Sequence, residues 1–339
     1  MAALTEPSRF RRRALINTAS TGLGNGWAMV VALVSLPLLL DGLGRTAFGT
    51  WVLIQTFSAV TGWLSLADIG VGVAATRAIA ERASLGDDRS SAGIVSSALV
   101  LFAALGLVCA VALAVLGPLL LPGLFNTPDA LRDGLRLALL IFAAQIVMDL
   151  LTEGFEACLE GFQRVDLSRA VDATRRTLVA VATVVAAQVD HRLEVVAAAS
   201  LAASIVGALA GGVVLSRQLP LRSFTPSAEQ IRNLLRYGRT VAILRPLGVL
   251  QRTMDRLVVG AVLGPGPVAL VEVATQIQSG ADAVLSASGY AVAPASSWLS
   301  AREDRTTLRE LLHRGTKYSL LVTVPVAVAS LRVRRALVV

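Results

Sequence analysis

Charge is scarce in this chain. Only 16% of its residues are Asp, Glu, Lys or Arg, against roughly 25% in soluble domains. With 55% hydrophobic residues beside it, that scarcity excludes an ordinary water-soluble surface. Lysine is nearly missing: Lys317 stands alone, and arginine carries almost all of the +8 net charge. A nucleic-acid binder gathers its positive charge on one face with aromatics between. Here the arginines sit between apolar runs, as membrane-flanking charge does, so no nucleic-acid partner is expected. The two cysteines, Cys109 and Cys158, lie inside apolar stretches and read as small core residues, not a disulfide or metal site. The two histidines, His191 and His313, stand far apart in polar connections. No zinc or triad spacing exists, and no cofactor is expected.

What the chain has is long apolar runs. Phe48–Glu81 is apolar from Trp51 to Leu66, then meets Asp68, Arg77 and Glu81. As one helix it would be about 50 Å long, enough to cross a bilayer core of about 30 Å and reach water with its charged end. The pattern repeats. Spans are expected at Ala14–Leu40, Phe48–Leu66 with its extension, Ala92–Leu116, Leu131–Leu151 running on as a charged helix to Glu160, Ser168–Val189 and Leu193–Leu215. Further spans are expected near Thr240–Leu263, Val268–Leu299 and Tyr318–Leu331. The first follows Arg9, Arg11, Arg12 and Arg13 and is too long for a signal-peptide core, so it is read as retained. Asp41–Ala47 and the proline-bearing Gly117–Ala130 read as turns. Gln218–Ser227 reads as a linker between a domain at 1–217 and a second at 218–339. Gly22, Gly24 and Gly26 read as close helix packing, since a dinucleotide loop needs a strand before it.

Arginine and lysine alternate along these loops. One side collects Arg9, Arg11, Arg12 and Arg13; Arg77, Arg82 and Arg89; Arg164, Arg169, Arg175 and Arg176; Arg217, Arg222, Arg232, Arg236 and Arg239; and Arg302, Arg305, Arg309, Arg314 and Lys317. The other holds Arg45, Arg132, Arg136 and Arg192. A bias of 21 to 4 places the N-terminus in the cytoplasm. A shift of 220 residues lays Leu43-Gly44 on Leu263-Gly264 and superposes the turn, the helix after it and the next span. That is a parallel repeat of two six-helix halves, of which the second is expected to be about three spans short. Arg332, Arg334 and Arg335 break the ninth span, so residues beyond about 330 are not expected to continue the repeat.

Ionisable residues inside spans are functional candidates by default. Arg245, Arg252 and Arg256 lie 7 and 4 residues apart on one helix face. Asp255 neutralises at most one of them, and the positive face that remains suits phosphate oxygens. Snorkelling of Arg245, or pairing with Glu272, Asp282 or the acidic fourth span, is the competing reading. Asp68, Arg77, Asp255, Glu272 and Asp282 are gating or coupling candidates. Asp149, Glu153, Glu156 and Glu160 share a helix face. They could line a passage, but a solvated or lobe-bridging stripe at the inner end is the first expectation.

Leu43-Gly44-Arg45-Thr46-Ala47-Phe48-Gly49-Thr50-Trp51, Leu66-Ala67-Asp68-Ile69-Gly70 and Ala75-Thr76-Arg77-Ala78-Ile79-Ala80-Glu81 resemble the opening of the polysaccharide biosynthesis and export proteins, the O-antigen-type flippases. These are relatives of the lipid II flippases and of the multidrug and toxin extruders. Glu160-Gly161-Phe162-Gln163-Arg164 resembles that family's loop after the fourth helix. The resemblance implies an all-α, polytopic two-lobe helix bundle, with a complete first lobe and a partial second, in a bacterial cytoplasmic membrane. It implies a lipid-linked oligosaccharide as substrate, undecaprenyl pyrophosphate as carrier, the bilayer as partner, and room for other polysaccharide assembly proteins. Arg252 and Arg256 would hold the pyrophosphate and Arg245 would receive it. The chain is then no enzyme. A membrane-embedded lipid-linked glycosyltransferase or ligase would need a sizeable outer loop with carboxylates. The longest outer connection, Gly117–Ala130, offers only Asp129. A transporter of cationic drugs would favour a carboxylate-rich cavity without arginines. A non-functional fragment is the other alternative.

Overall fold

A computed structural model describes residues 7–218, 225–242, 245–276 and 278–279, with isolated positions 313, 316, 317, 320, 321 and 324, and only the backbone at 7–19, 88, 241 and 245. The chain divides into two compact units, Met1–Val273 and Ala274–Val339. α1 to α8, named next, all belong to the first. The described residues contain α1 (Pro7–Gln55), α2 (Val71–Ser84), α3 (Asp88–Leu124), α4 (Asp129–Gly161), α5 (Val165–Val189), α6 (Leu193–Gln218), α7 (Ala228–Val241) and α8 (Arg245–Leu263). Residues 265–276 are also helical, and no strand occurs among the described residues. The expected all-α class holds.

Among the described residues, four helical stretches are long and apolar enough to cross a membrane: Ser20–Gln55, Arg89–Leu124, Asp129–Gly161 and Leu193–Gln218. Their outward faces carry exposed Val34, Val111, Leu119, Leu140 and Leu209. Water would penalise such a surface, whereas lipid accepts it. The buried sides form one core in which Trp51 meets Phe142 edge to face, with centroids 6.3 Å apart. α3 begins under the Asp87 cap, whose carboxylate accepts from the Ser90 N–H at 3.0 Å. The bonds from Ser90 hold that exposed carboxyl below its ordinary range.

Several boundaries differ from the sequence reading. The turn after the first span is a single residue, Gly44 (φ 72°, ψ 165°), where α1 kinks and runs on. Gly264, its partner under the 220-residue shift, also has positive φ, 81°, a conformation that glycine adopts without strain. The segments after these two glycines lie close together: a Cβ on Gly49 would strike the Pro265 carbonyl. α3 continues through Pro118 and Pro122 to Leu124, which shrinks the expected Gly117–Ala130 turn to the few residues around Asn126 (φ 46°). The polar stretch before the seventh span holds a separate helix, α7.

The largest difference is at Phe48–Glu81, which is not one helix. α1 stops at Gln55, a 3-10 turn covers Trp63–Asp68, and α2 restarts at Val71. Hydroxyls and glycines cause the break. The Thr56 hydroxyl bonds back to the Val52 carbonyl at 3.0 Å, the Ser58 hydroxyl accepts from the Val60 N–H at 3.1 Å, and Gly70 sits at φ 73°. Such local bonds compete with helix continuation.

Candidate functional site

The break creates a site. Ile69 adopts φ 43°, ψ 31°, a strained conformation for a β-branched residue. With Gly70 it turns the chain so that buried Asp68 stands over the first turn of α2, and its Oδ1 accepts from the Gly72 N–H at 2.8 Å. A carboxylate there satisfies a free amide and faces the positive end of the helix dipole.

Opposite lies α4. Asp68, Thr76, Phe102, Glu153, Glu156 and Glu160 line a cavity of about 280 Å³. The Thr76 hydroxyl donates to the Ala157 carbonyl at 2.9 Å and ties its two walls together. The α4 carboxylates are therefore not a solvated stripe. Their face turns inward, onto α2, α5 and α6. Asp149 is buried and accepts from Arg175 at 3.3 Å, Ser204 at 3.0 Å and Gln145 at 3.3 Å. Arg175, also buried, reaches Asp172 at 3.4 Å, and Arg176 meets Asp172 at 2.7 Å. A side chain on Gly207 would collide with the Arg175 stem, its Cβ 2.8 Å from Cγ, so glycine makes the room. Glu160 pairs with Arg169 at 3.1 Å. Glu156 differs: its Oε1 is buried without a hydrogen-bond partner among the described residues. A carboxyl oxygen orphaned in a low-dielectric interior calls for a proton or a cation. No metal-binding group of His, Cys, Asp and Glu occurs among the described residues.

The remaining candidates lie elsewhere. Arg77 is exposed on α2, its guanidinium 4.7 Å from the Tyr237 ring centroid on α7. Gly70 and Gly238 meet there backbone to backbone. A Cβ on Gly70 would lie 2.5 Å from the Gly238 carbonyl oxygen, and one on Gly238 would lie 2.6 Å from that of Ile69. On α8, Arg252 and Asp255 are exposed, while Arg256 pairs with buried Glu272 at 2.7 Å. Arg245 opens α8, but its side chain lies outside the described residues, as does all of Asp282. The structure thus brings Asp68 to the α4 acids, Arg256 to Glu272 and Arg77 to α7. Sequence reasoning named Glu156 among the acids that could line a passage but ranked a solvated or lobe-bridging stripe above that, and it missed Arg175 as its neighbour. The signal was there: Asp166, Arg169, Asp172, Arg175 and Arg176 crowd the first half of α5, beside an acidic α4. In the second unit a more open hollow of about 630 Å³ is lined mainly by Leu320, Leu321 and Val324, with His313 and Lys317, and offers no comparable carboxylate cluster among the described residues.

Residues 14–300 match the model of a family described as polysaccharide biosynthesis protein. The chain belongs to the polysaccharide biosynthesis protein family. No curated protein matches it. Solved structures share the fold of this family member at low identity. One is a multidrug resistance MATE family transporter of the MOP superfamily, inward-facing, at TM-score 0.66 and 15% identity, over 88% of this chain and 68% of that one. An outward-facing MATE family transporter matches at TM-score 0.57 and 15% identity, over 94% and 77%. A MOP superfamily transporter from Pyrococcus furiosus, described by the reverse polarity of its binding pocket, matches at 0.55 and 15%, over 91% and 76%. With its apolar helices, this polysaccharide biosynthesis protein is a multi-pass membrane protein of all-α, MATE-like fold.

Proposed function

We propose that the chain is a flippase that carries an undecaprenyl-pyrophosphate-linked oligosaccharide from the cytoplasmic to the outer leaflet of a bacterial inner membrane. Its N-terminus faces the cytoplasm, residues 1–217 form the first lobe, and 218–339 belong to the second. One observation carries the reading: a polysaccharide biosynthesis sequence has the fold of transporters seen both inward- and outward-facing. A neighbour named for reversed pocket polarity supports the idea that this fold changes cargo by changing charge.

In this reading Arg252 is the first pyrophosphate ligand, because it is exposed while Glu272 holds Arg256. Arg256 exchanges Glu272 for phosphate as the lipid enters, and Arg245 receives the headgroup at the cytoplasmic mouth. Arginine suits this role through its bidentate fork. The first-lobe cavity supplies the coupling. Glu156 takes up a proton in one conformation and releases it in the other, next to the break at Asp68–Gly70 where α2 can move against α1.

The test is reconstitution into vesicles with a fluorescent lipid-linked oligosaccharide and an external quencher. Arg252→Ala and Arg252→Lys should each abolish flipping while the protein stays folded in the membrane. Glu156→Gln should leave lipid binding intact and remove the dependence of flipping on a pH gradient. Flipping by both Arg252 variants at the wild-type rate excludes that arginine as the ligand. A wild-type chain that moves no lipid-linked sugar excludes the function itself.

A further inference from the structure

α7 carries a surface that the transport reading does not use. Its apolar side chains, Ile231, Leu234 and Leu235, pack into the core, and the helix lies against α2 and α3. One flank is tied to those helices: Gln230 accepts from the Ser97 hydroxyl at 2.9 Å, and Tyr237 lies under Arg77. The other flank presents Arg232, Arg236 and Arg239, all exposed. At 100° per residue they fall within about 60° of one another, so the three guanidinium groups form one row. No acidic side chain among the described residues forms an ion pair with them, and Glu229 is the one acid on α7.

The position of α7 decides the partner. It follows α6, a membrane-crossing helix that ends at Gln218, and precedes α8, which begins at Arg245. In the topology proposed above both ends are thus tethered at one membrane surface, and the inference rests on that topology. The apolar face is already occupied by α2 and α3, which fixes the direction of the arginine row. Three arginines held at that level, without an ion-pair partner among the described residues, meet the phosphates of lipid headgroups, and arginine binds phosphate bidentately. We propose that the Arg232–Arg236–Arg239 row is a docking surface for anionic phospholipid headgroups of the inner leaflet, which clamps α7 to the membrane plane.

The test is equilibrium binding of phosphatidylglycerol and of phosphatidylcholine to the detergent-purified chain, read by native mass spectrometry. The wild type should prefer the anionic lipid. Near an anionic surface each arginine contributes about fivefold in affinity, so R232Q/R236Q/R239Q should lose about a hundredfold in that preference. R232K/R236K/R239K keeps the charge and should retain most of it, and it carries the test alone if the glutamine variant fails to fold, because loss of preference in it would then count against a charge row. R132Q/R136Q/R192Q removes three exposed arginines elsewhere and should leave the preference unchanged. An unchanged preference in the α7 glutamine variant overturns the proposal. So does an equal loss in the control, which would mean net charge alone. Displacement of phosphatidylglycerol by inorganic pyrophosphate at equal concentration also overturns it, since the row would then be a site for free phosphate.

Discussion

Arg175 and Arg252 are the same residue type, each on a helix of the bundle, and they live in opposite conditions. Arg175 is buried, between Asp149 at 3.3 Å and Asp172 at 3.4 Å. Arg252 is exposed on α8. Composition alone treats both as interruptions of an apolar run. The difference teaches that an arginine on a bundle helix has two meanings. Where acids converge on it from two helices it fastens those helices. Where it faces outward it is open to a ligand.

The sharpest way to break this comparison is Arg175→Ala. It leaves Asp149 buried without its cation and Asp172 with Arg176 alone. Removing one partner of a buried pair costs about 3 to 5 kcal/mol, so the melting temperature of the purified chain should fall steeply. Asp149→Asn with Arg175→Gln removes both charges and should recover a large part of that loss. If the double variant melts no higher than Arg175→Ala alone, the pair does not act as a unit.

A smaller loss should follow from Gly238→Ala. The added methyl would meet the Ile69 carbonyl oxygen at 2.6 Å, and overpacking of this kind costs about 1 to 3 kcal/mol. The effect reaches beyond stability, because the same contact braces the strained Ile69 beside Asp68. A variant that melts lower and also loses the pH-gradient dependence of flipping would connect α7 to the cavity. One that melts lower with unaltered transport confines the contact to packing.

How much of this was legible beforehand follows the same division. The apolar runs announced α3, α4 and α6, because a membrane helix of 26 to 37 residues leaves a plain hydropathy record. The repeat announced the paired glycines, since Gly44 and Gly264 share one backbone need. The break between Gln55 and Val71 was not legible. Each of its signals, Thr56, Ser58, Gly62 and Gly70, is tolerated singly inside a membrane helix, and only their summed local bonds end one. The α4 carboxylates were visible as a face, but not which way it turned, since a period of 3.6 residues gives direction only relative to the helix itself. Arg252 and Arg256 were correctly read as sharing a face. Their different fates depend on Glu272, sixteen positions beyond Arg256, and spacing along one helix carries no information about that partner.

The smallest expected effect closes the comparison from the other end. Arg192 bonds Asp190 at 3.0 Å and approaches Glu194 at 3.6 Å, so by distance alone it is better paired than Arg175. It lies in the connection between α5 and α6, with 63% of its side chain exposed. Water already solvates both charges there, holding the side chains in register costs entropy, and salt screens what attraction remains. Arg192→Ala should therefore leave the melting temperature unchanged within error, at low and high salt alike. A clear drop at low salt that vanishes at high salt would show that this surface cluster stabilises the helix connection. Burial would then not be what separates the arginines that hold the bundle together from those that do not.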